Sequence, residues 1–157
     1  LLSAKNSLFT GFFLTKNVVC TVSHGQTIPS DVSSTEATFK RGEHFSKEDV
    51  MLLQTNETHL RSVSPSKTPP SPDSPVLLVT AYPTKVVIHG MVKYADSNAI
   101  LSQLSTYPGT SGSAIFNEEG NMISMHQASN GSISASIPVN HIQRCLNSFL
   151  RPKAPSS

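Results

Sequence analysis

Thr106-Tyr107-Pro108-Gly109-Thr110-Ser111-Gly112-Ser113, running straight into Ala114-Ile115-Phe116, is the stretch from which the rest of the chain is read. A serine flanked by Gly109 and Gly112, in a turn that opens a short apolar run, can expose its hydroxyl while backbone N–H groups point into the same space. Acyl transfer needs that pairing: a nucleophile beside donors placed where negative charge develops. Glycine-serine hairpin loops share the composition, so the turn alone decides nothing. The rest of the chain must supply a base, an acid and a pocket.

On either side of this turn lie short β-prone runs: residues 76–80, 85–92 and 99–104 before it, 113–116, 122–126 and 132–137 after it. They are separated by Tyr82-Pro83, Asp96-Ser97-Asn98, Glu119-Gly120-Asn121 and Asn130-Gly131, all turn chemistry. Many short strands at such spacing predict a barrel or sandwich. Further upstream, residues 8–14 and 18–22 read as a hairpin that delivers Ser23-His24-Gly25. A further strand is expected near 36–39, and a compact apolar one at 50–53 directly after Glu48-Asp49. Pro65, Pro69, Pro70, Pro72 and Pro75 among serines mark residues 62–75 as an extended connector. The chain therefore divides as 1–61, connector 62–75, 76–138, and a helix with its tail at 139–157; a disordered insertion within a single lobe is the alternative. The helix is expected at 139–150, where Val139, Ile142, Leu146, Phe149 and Leu150 form an apolar stripe with Cys145 beside it.

The chain has 157 residues, enough for one sizeable core or two small lobes. A net charge of +2 gives no argument for nucleic acid or an anionic membrane, and no apolar run approaches the ~20 residues of a membrane span. The start, Leu1-Leu2-Ser3, reads as a processed product or as a piece cut from a longer chain. Cys20 and Cys145 are too sparse for a disulfide framework and lack zinc spacing, so they read as core residues and neither metal nor cofactor is expected. The sequons at Asn56 and Asn130 matter only in a secretory pathway.

Two further segments place a polar residue at the edge of an apolar strand: Val18-Val19-Cys20-Thr21-Val22-Ser23-His24 and Glu48-Asp49-Val50-Met51-Leu52-Leu53. A serine hydroxyl needs an imidazole to take its proton and a carboxylate to orient that imidazole. His24, Asp49 and Ser111 supply those parts. Asp31, Glu43 and Glu48 are alternative acids; Asp49 is preferred because it abuts the strand that can hold it.

These segments resemble the chymotrypsin-like serine proteases, of the compact type without disulfides, from about residue 10 to about 150. Thr21-Val22-Ser23-His24 resembles the family's Thr-Ala-x-His. Asp49-Val50-Met51-Leu52-Leu53 resembles Asp-x-Ala-x-Leu, with Met51 in place of alanine, and Gly109-Thr110-Ser111-Gly112-Ser113 matches Gly-x-Ser-Gly-Ser. The resemblance implies an all-β fold of two antiparallel six-stranded barrels with a C-terminal helix, and an oxyanion site made by the N–H groups of Gly109 and Ser111. The α/β-hydrolase pattern Gly-x-Ser-x-Gly is not met.

The resemblance extends to specificity. In proteases that cut after Glu or Gln, a histidine on the strand after the nucleophile hairpin and a threonine five residues before the nucleophile meet the substrate side chain. His126 and Thr106 stand in those places. Ser129 and Ser132 are further candidates to line that pocket. Ser105 stands where trypsin-like specificity would want aspartate, which disfavours cleavage after Lys or Arg. His44, His59, His89 and His141 read as surface or structural. Viral main proteases of the arterivirus or picornavirus type and glutamyl endopeptidases share the pattern, implying a peptide or polyprotein substrate and a host-cytoplasmic or secreted location. Ile137-Pro138-Val139-Asn140 also resembles the end of Deg-type proteases. A catalytically silent binding module is the reading from another class.

Overall fold

The computed structural model describes residues 2–4, 7–24, 34, 38–55, 62–81, 84–130 and 132–151. Asp31, His59, the Tyr82-Pro83 turn and the first sequon lie outside them. Twelve strands and one helix follow in order: β1 (Leu2–Ala4), β2 (Ser7–Phe9), β3 (Phe12–Thr15), β4 (Val18–Val22), β5 (Phe39–Phe45), β6 (Val50–Thr55), β7 (Pro75–Thr80), β8 (Val86–Ala95), β9 (Ile100–Gln103), β10 (Ala114–Phe116), β11 (Met122–Asn130), β12 (Ile133–Pro138) and α1 (Val139–Leu150).

The second half closes into a six-stranded barrel, β10-β11-β12-β9-β8-β7. Its interior is filled by Val76, Leu78, Val92, Ile100, Leu104, Ile115 and Ile123, all buried. Successive strand residues face opposite sides, which is why alternate positions of β7 fill the barrel. The first half corrects the two-barrel expectation. It is an open four-stranded sheet, β3-β4-β6-β5, with β1 and β2 paired only to each other. The expected single strand at 8–14 breaks at Thr10-Gly11, because there the backbone leaves the sheet to bond the loop around Ser111. With β2 turned back on β1, the described strands do not close a ring.

β4 is buried at every position because β3 and β6 flank it and both of its faces are covered. β5 escaped most of the sequence signal. Its residues Lys40, Arg41, Glu43 and His44 are polar, as suits a strand at the sheet's edge that must not recruit another chain.

Residues 62–74 form no strand, yet they are stitched to both halves. Val63 N–H donates to Phe13 O at 3.0 Å, and Ser66 N–H to Met122 O at 2.8 Å. Helix α1 then covers the seam. Ile142, Cys145, Leu146 and Phe149 pack with Leu14, Val18, Cys20, Val22, Val50 and Leu52 of the sheet and with Ala114, Met122, Met125 and Ile137 of the barrel. Leu150, expected in the stripe, is exposed. Both cysteines are buried and free. Arg41 lies 3.9 Å over the Phe149 ring and donates to Phe149 O at 2.7 Å, a cation on the carbonyl end of the helix.

Candidate active site

Asp49 ends the four-residue turn between β5 and β6, with φ of 60°, a left-handed conformation that aspartate tolerates better than most residues. The backbone's reversal there aims the carboxylate back at the end of β4. Oδ1 accepts from the N–H of Ser23 at 3.0 Å and of His24 at 2.6 Å. Oδ2 accepts from His24 Nδ1 at 2.6 Å and from Gln127 Nε2 at 2.9 Å. A carboxylate only accepts, so Nδ1 carries a proton, and in the neutral ring the lone pair is then on Nε2. Asp49 is sequestered at 14% side-chain exposure, while His24 is 49% exposed, so the ring reaches outward from a buried anchor. Glu43 and Glu48, the other described acids weighed from the sequence, do not make these bonds. His44, read as surface or structural, is half-buried with Nδ1 2.7 Å from Oγ of Ser23, the residue before His24.

The serine lies in two successive turns. Thr110 N–H bonds Tyr107 O at 3.1 Å around Pro108-Gly109, and Ser113 N–H bonds Thr110 O at 3.0 Å around Ser111-Gly112. Gly109 and Gly112 have φ of 99° and 90°. Each turn thus carries a positive φ at its third residue, the type II arrangement that calls for glycine. The N–H groups of Gly109 and Ser111 donate to no described residue. Among the described residues, the Ser111 hydroxyl has one long bond, 3.5 Å to Gln127 O. Gln127 therefore touches both the Ser111 hydroxyl and the Asp49 carboxylate, and it brings barrel and sheet to one point.

His126 precedes it and is 2% exposed. Its N–H donates to Ser113 O at 2.8 Å and its carbonyl accepts from Gly112 N–H at 3.0 Å, so it brackets the serine turn. Its Nδ1 and the Thr106 hydroxyl are buried without a partner among the described residues. Ser129 and Ser132 are exposed. Burial, and secondarily the charge of His24, push the His126 pKa down to about 4. The unfolded chain takes up this proton near pH 6.5 and the folded chain only near 4. Stability from this group is complete above 6.5 and is lost as pH falls towards 4, by about 3 kcal/mol. The unfolding free energies of wild type and His126→Gln should therefore converge by about that amount between pH 7 and pH 4 in urea titrations; parallel curves would exclude it.

The sequence matches the trypsin-like peptidase domain over residues 9–125, well over half of the chain. The chain belongs to the trypsin-like peptidase family. The fold agrees: a serine endoprotease from Yersinia pestis superposes with a TM-score of 0.81 at 17% identity, covering 96% of this chain and 61% of that one. Rv3671c from M. tuberculosis H37Rv, a serine-to-alanine mutant in an inactive form, gives 0.78 at 12% identity, covering 98% and 87%. This chain thus spans less than two thirds of the Yersinia protein. No curated protein matches the sequence.

Within this peptidase the fold brings His24, Asp49 and the Ser111 loop together, with His126 against that loop. Sequence reasoning did not find Gln127, Ser23, His44 or Thr10 as neighbours of the site. Alternation along β11 could have suggested that Gln127 faces away from His126, but nothing in the sequence says that Asp49 waits on that side. No group of three or more His, Cys, Asp or Glu side chains converges among the described residues, and no helix there is long and apolar enough to cross a membrane.

Proposed function

We propose that this peptidase is a serine endopeptidase using His24, Asp49 and Ser111, with preference for Glu or Gln on the acyl side of the scissile bond. The observation that carries it is the Asp49 carboxylate held by four donors, two of them from His24 and one from the residue that touches Ser111. Ser111 Oγ attacks the substrate carbonyl while His24 Nε2 takes its proton. Asp49 stabilises the imidazolium, and the N–H groups of Gly109 and Ser111 receive the oxyanion. Collapse expels the amine with the proton from His24, and water attacks the acyl-enzyme by the same route. The 3.5 Å bond of the serine is weak enough to be exchanged for His24 when substrate binds.

The preference rests on His126 and Thr106. His126 Nδ1 and Thr106 Oγ1 are two of six buried side-chain atoms with no partner among the described residues, and a carboxamide or carboxylate oxygen would pair with either. Ser129, being exposed, could meet only the outer part of such a side chain. Removing one buried donor should lower kcat/KM for Glu or Gln peptides about 10–100-fold. Cleavage of a peptide library by wild type, His126→Ala and Ser111→Ala measures this. Cuts scattered over all residue types would refute the preference, and cleavage by Ser111→Ala would refute the mechanism.

The two free cysteines fit work in a reducing compartment, as for a polyprotein-processing protease of a virus in host cytoplasm. A secreted or Deg-like cellular protease is the alternative source of the same chemistry.

A further inference from the structure

We propose that Thr10 is a positioning residue that holds the loop carrying Ser111 and the oxyanion donors in its working shape. The proposal rests on Ser111 acting as the nucleophile. Thr10 is remote in sequence from the loop, yet its hydroxyl donates to Gly109 O at 2.8 Å and its N–H to Ser111 O at 2.9 Å.

Accounting for the peptide groups of the loop shows what these two bonds do. The 109–110 peptide is tied at both ends, its carbonyl to the Thr10 hydroxyl and its N–H to Tyr107 O. The 111–112 peptide is also tied at both ends, its carbonyl to Thr10 N–H and its N–H to His126 O. Between them, among the described residues, the 110–111 peptide is held by its carbonyl alone, through Ser113 N–H, which leaves the Ser111 N–H for the oxyanion. Thr10 thus supplies the donor for both flanking carbonyls. Without the hydroxyl the 109–110 peptide loses half of its restraint, while the backbone N–H keeps its bond to Ser111 O.

The rest of its surroundings forces the hydroxyl into this role. Thr10, Thr21 and Thr80 are all buried. Ala81 N–H donates to Thr10 Oγ1 at 3.3 Å, and Thr80 Oγ1 lies 3.2 Å away. Since the single Thr10 proton goes to Gly109 O, Thr80 is the donor in that pair. Two donors on Oγ1 leave its own proton one acceptor. Thr21 Oγ1 meanwhile donates to Thr10 O at 2.8 Å. Thr21 comes from the sheet and Thr80 from the barrel, so both halves of the fold set the position of Thr10. Gly112 leaves no gap: a Cβ there would stand 1.9 Å from Thr10 O and 2.4 Å from Thr21 Oγ1.

Thr10→Val keeps the shape and removes the hydroxyl. It should lower kcat about 10–100-fold with KM within about twofold, because a loosened oxyanion site weakens the transition state and not the bound substrate. Affinity for a peptide aldehyde, which forms the tetrahedral adduct, should fall by the same factor. Thr10→Ser should recover most of both. An unchanged kcat in folded Thr10→Val, a loss not rescued by serine, or a lower Tm alone would overturn the proposal. Should Thr10→Val not fold, Thr10→Cys decides: its thiol is a much weaker donor to Gly109 O, and kcat should fall about three- to tenfold at constant KM, whereas an unchanged kcat contradicts the proposal. A wild type that neither cleaves peptides nor reacts with a fluorophosphonate overturns the endopeptidase reading and this one with it; an active wild type with an indifferent Thr10→Val overturns this one alone.

Discussion

Ser111→Ala should reduce peptide hydrolysis by about 10⁴–10⁶-fold while moving stability by no more than about 0.5 kcal/mol. The two halves of that result have separate physical causes. Stability is spared because the hydroxyl is only half-buried and its one bond among described residues, to Gln127 O, is 3.5 Å long. The turn around it is held by backbone bonds and by the two positive-φ glycines, none of which involve the side chain. On the proposed mechanism activity should be lost because the neighbouring serine in the loop, Ser113, is fully buried and cannot replace Ser111. The residual rate would come from the oxyanion donors and substrate binding alone. Steady-state kinetics and thermal unfolding on the same sample measure both halves.

Asp49→Asn is the second large effect, about 10⁴-fold in kcat with the imidazole still in place. Both carboxylate oxygens face donors, the Ser23 and His24 amides on Oδ1 and His24 Nδ1 with Gln127 Nε2 on Oδ2. An amide NH₂ cannot replace Oδ1 without meeting two N–H groups. Turned towards Oδ2, it makes Nδ1 the acceptor and moves the imidazole proton to Nε2, where the ring can no longer take one from Ser111. The kcat of the variant should therefore be low across the neutral range and rise at alkaline pH, where the serine needs less help. A kcat within tenfold of wild type would mean that Asp49 only supports the β5–β6 turn.

Much of the fold was legible because its cause is local. The barrel strands and α1 announce themselves through apolar periodicity and turn residues, and the helix falls at Val139–Leu150 as its stripe predicts. β5 was nearly missed because an edge strand is polar for the reason that it is an edge. The open first sheet was not legible either. Chain closure depends on where Thr10-Gly11 leaves the sheet, and that departure is driven by bonds to a loop about 100 residues further on. The same distinction holds at the site. His24, Asp49 and Ser111 each sit at the end of a strand or in a glycine turn, a context visible in a few residues. Gln127, Thr10 and the Ser23–His44 pair matter through partners remote in the chain, and neither glutamine nor threonine carries a chemical signature of that use.

The proposal that Ser111 is the nucleophile, activated by His24 and Asp49, is tested most directly by reaction with a fluorophosphonate followed by peptide mapping. A single adduct on Ser111 is expected, absent in Ser111→Ala and formed far more slowly in Asp49→Asn. A folded wild type that stays unmodified, or an adduct on any other serine, would contradict it.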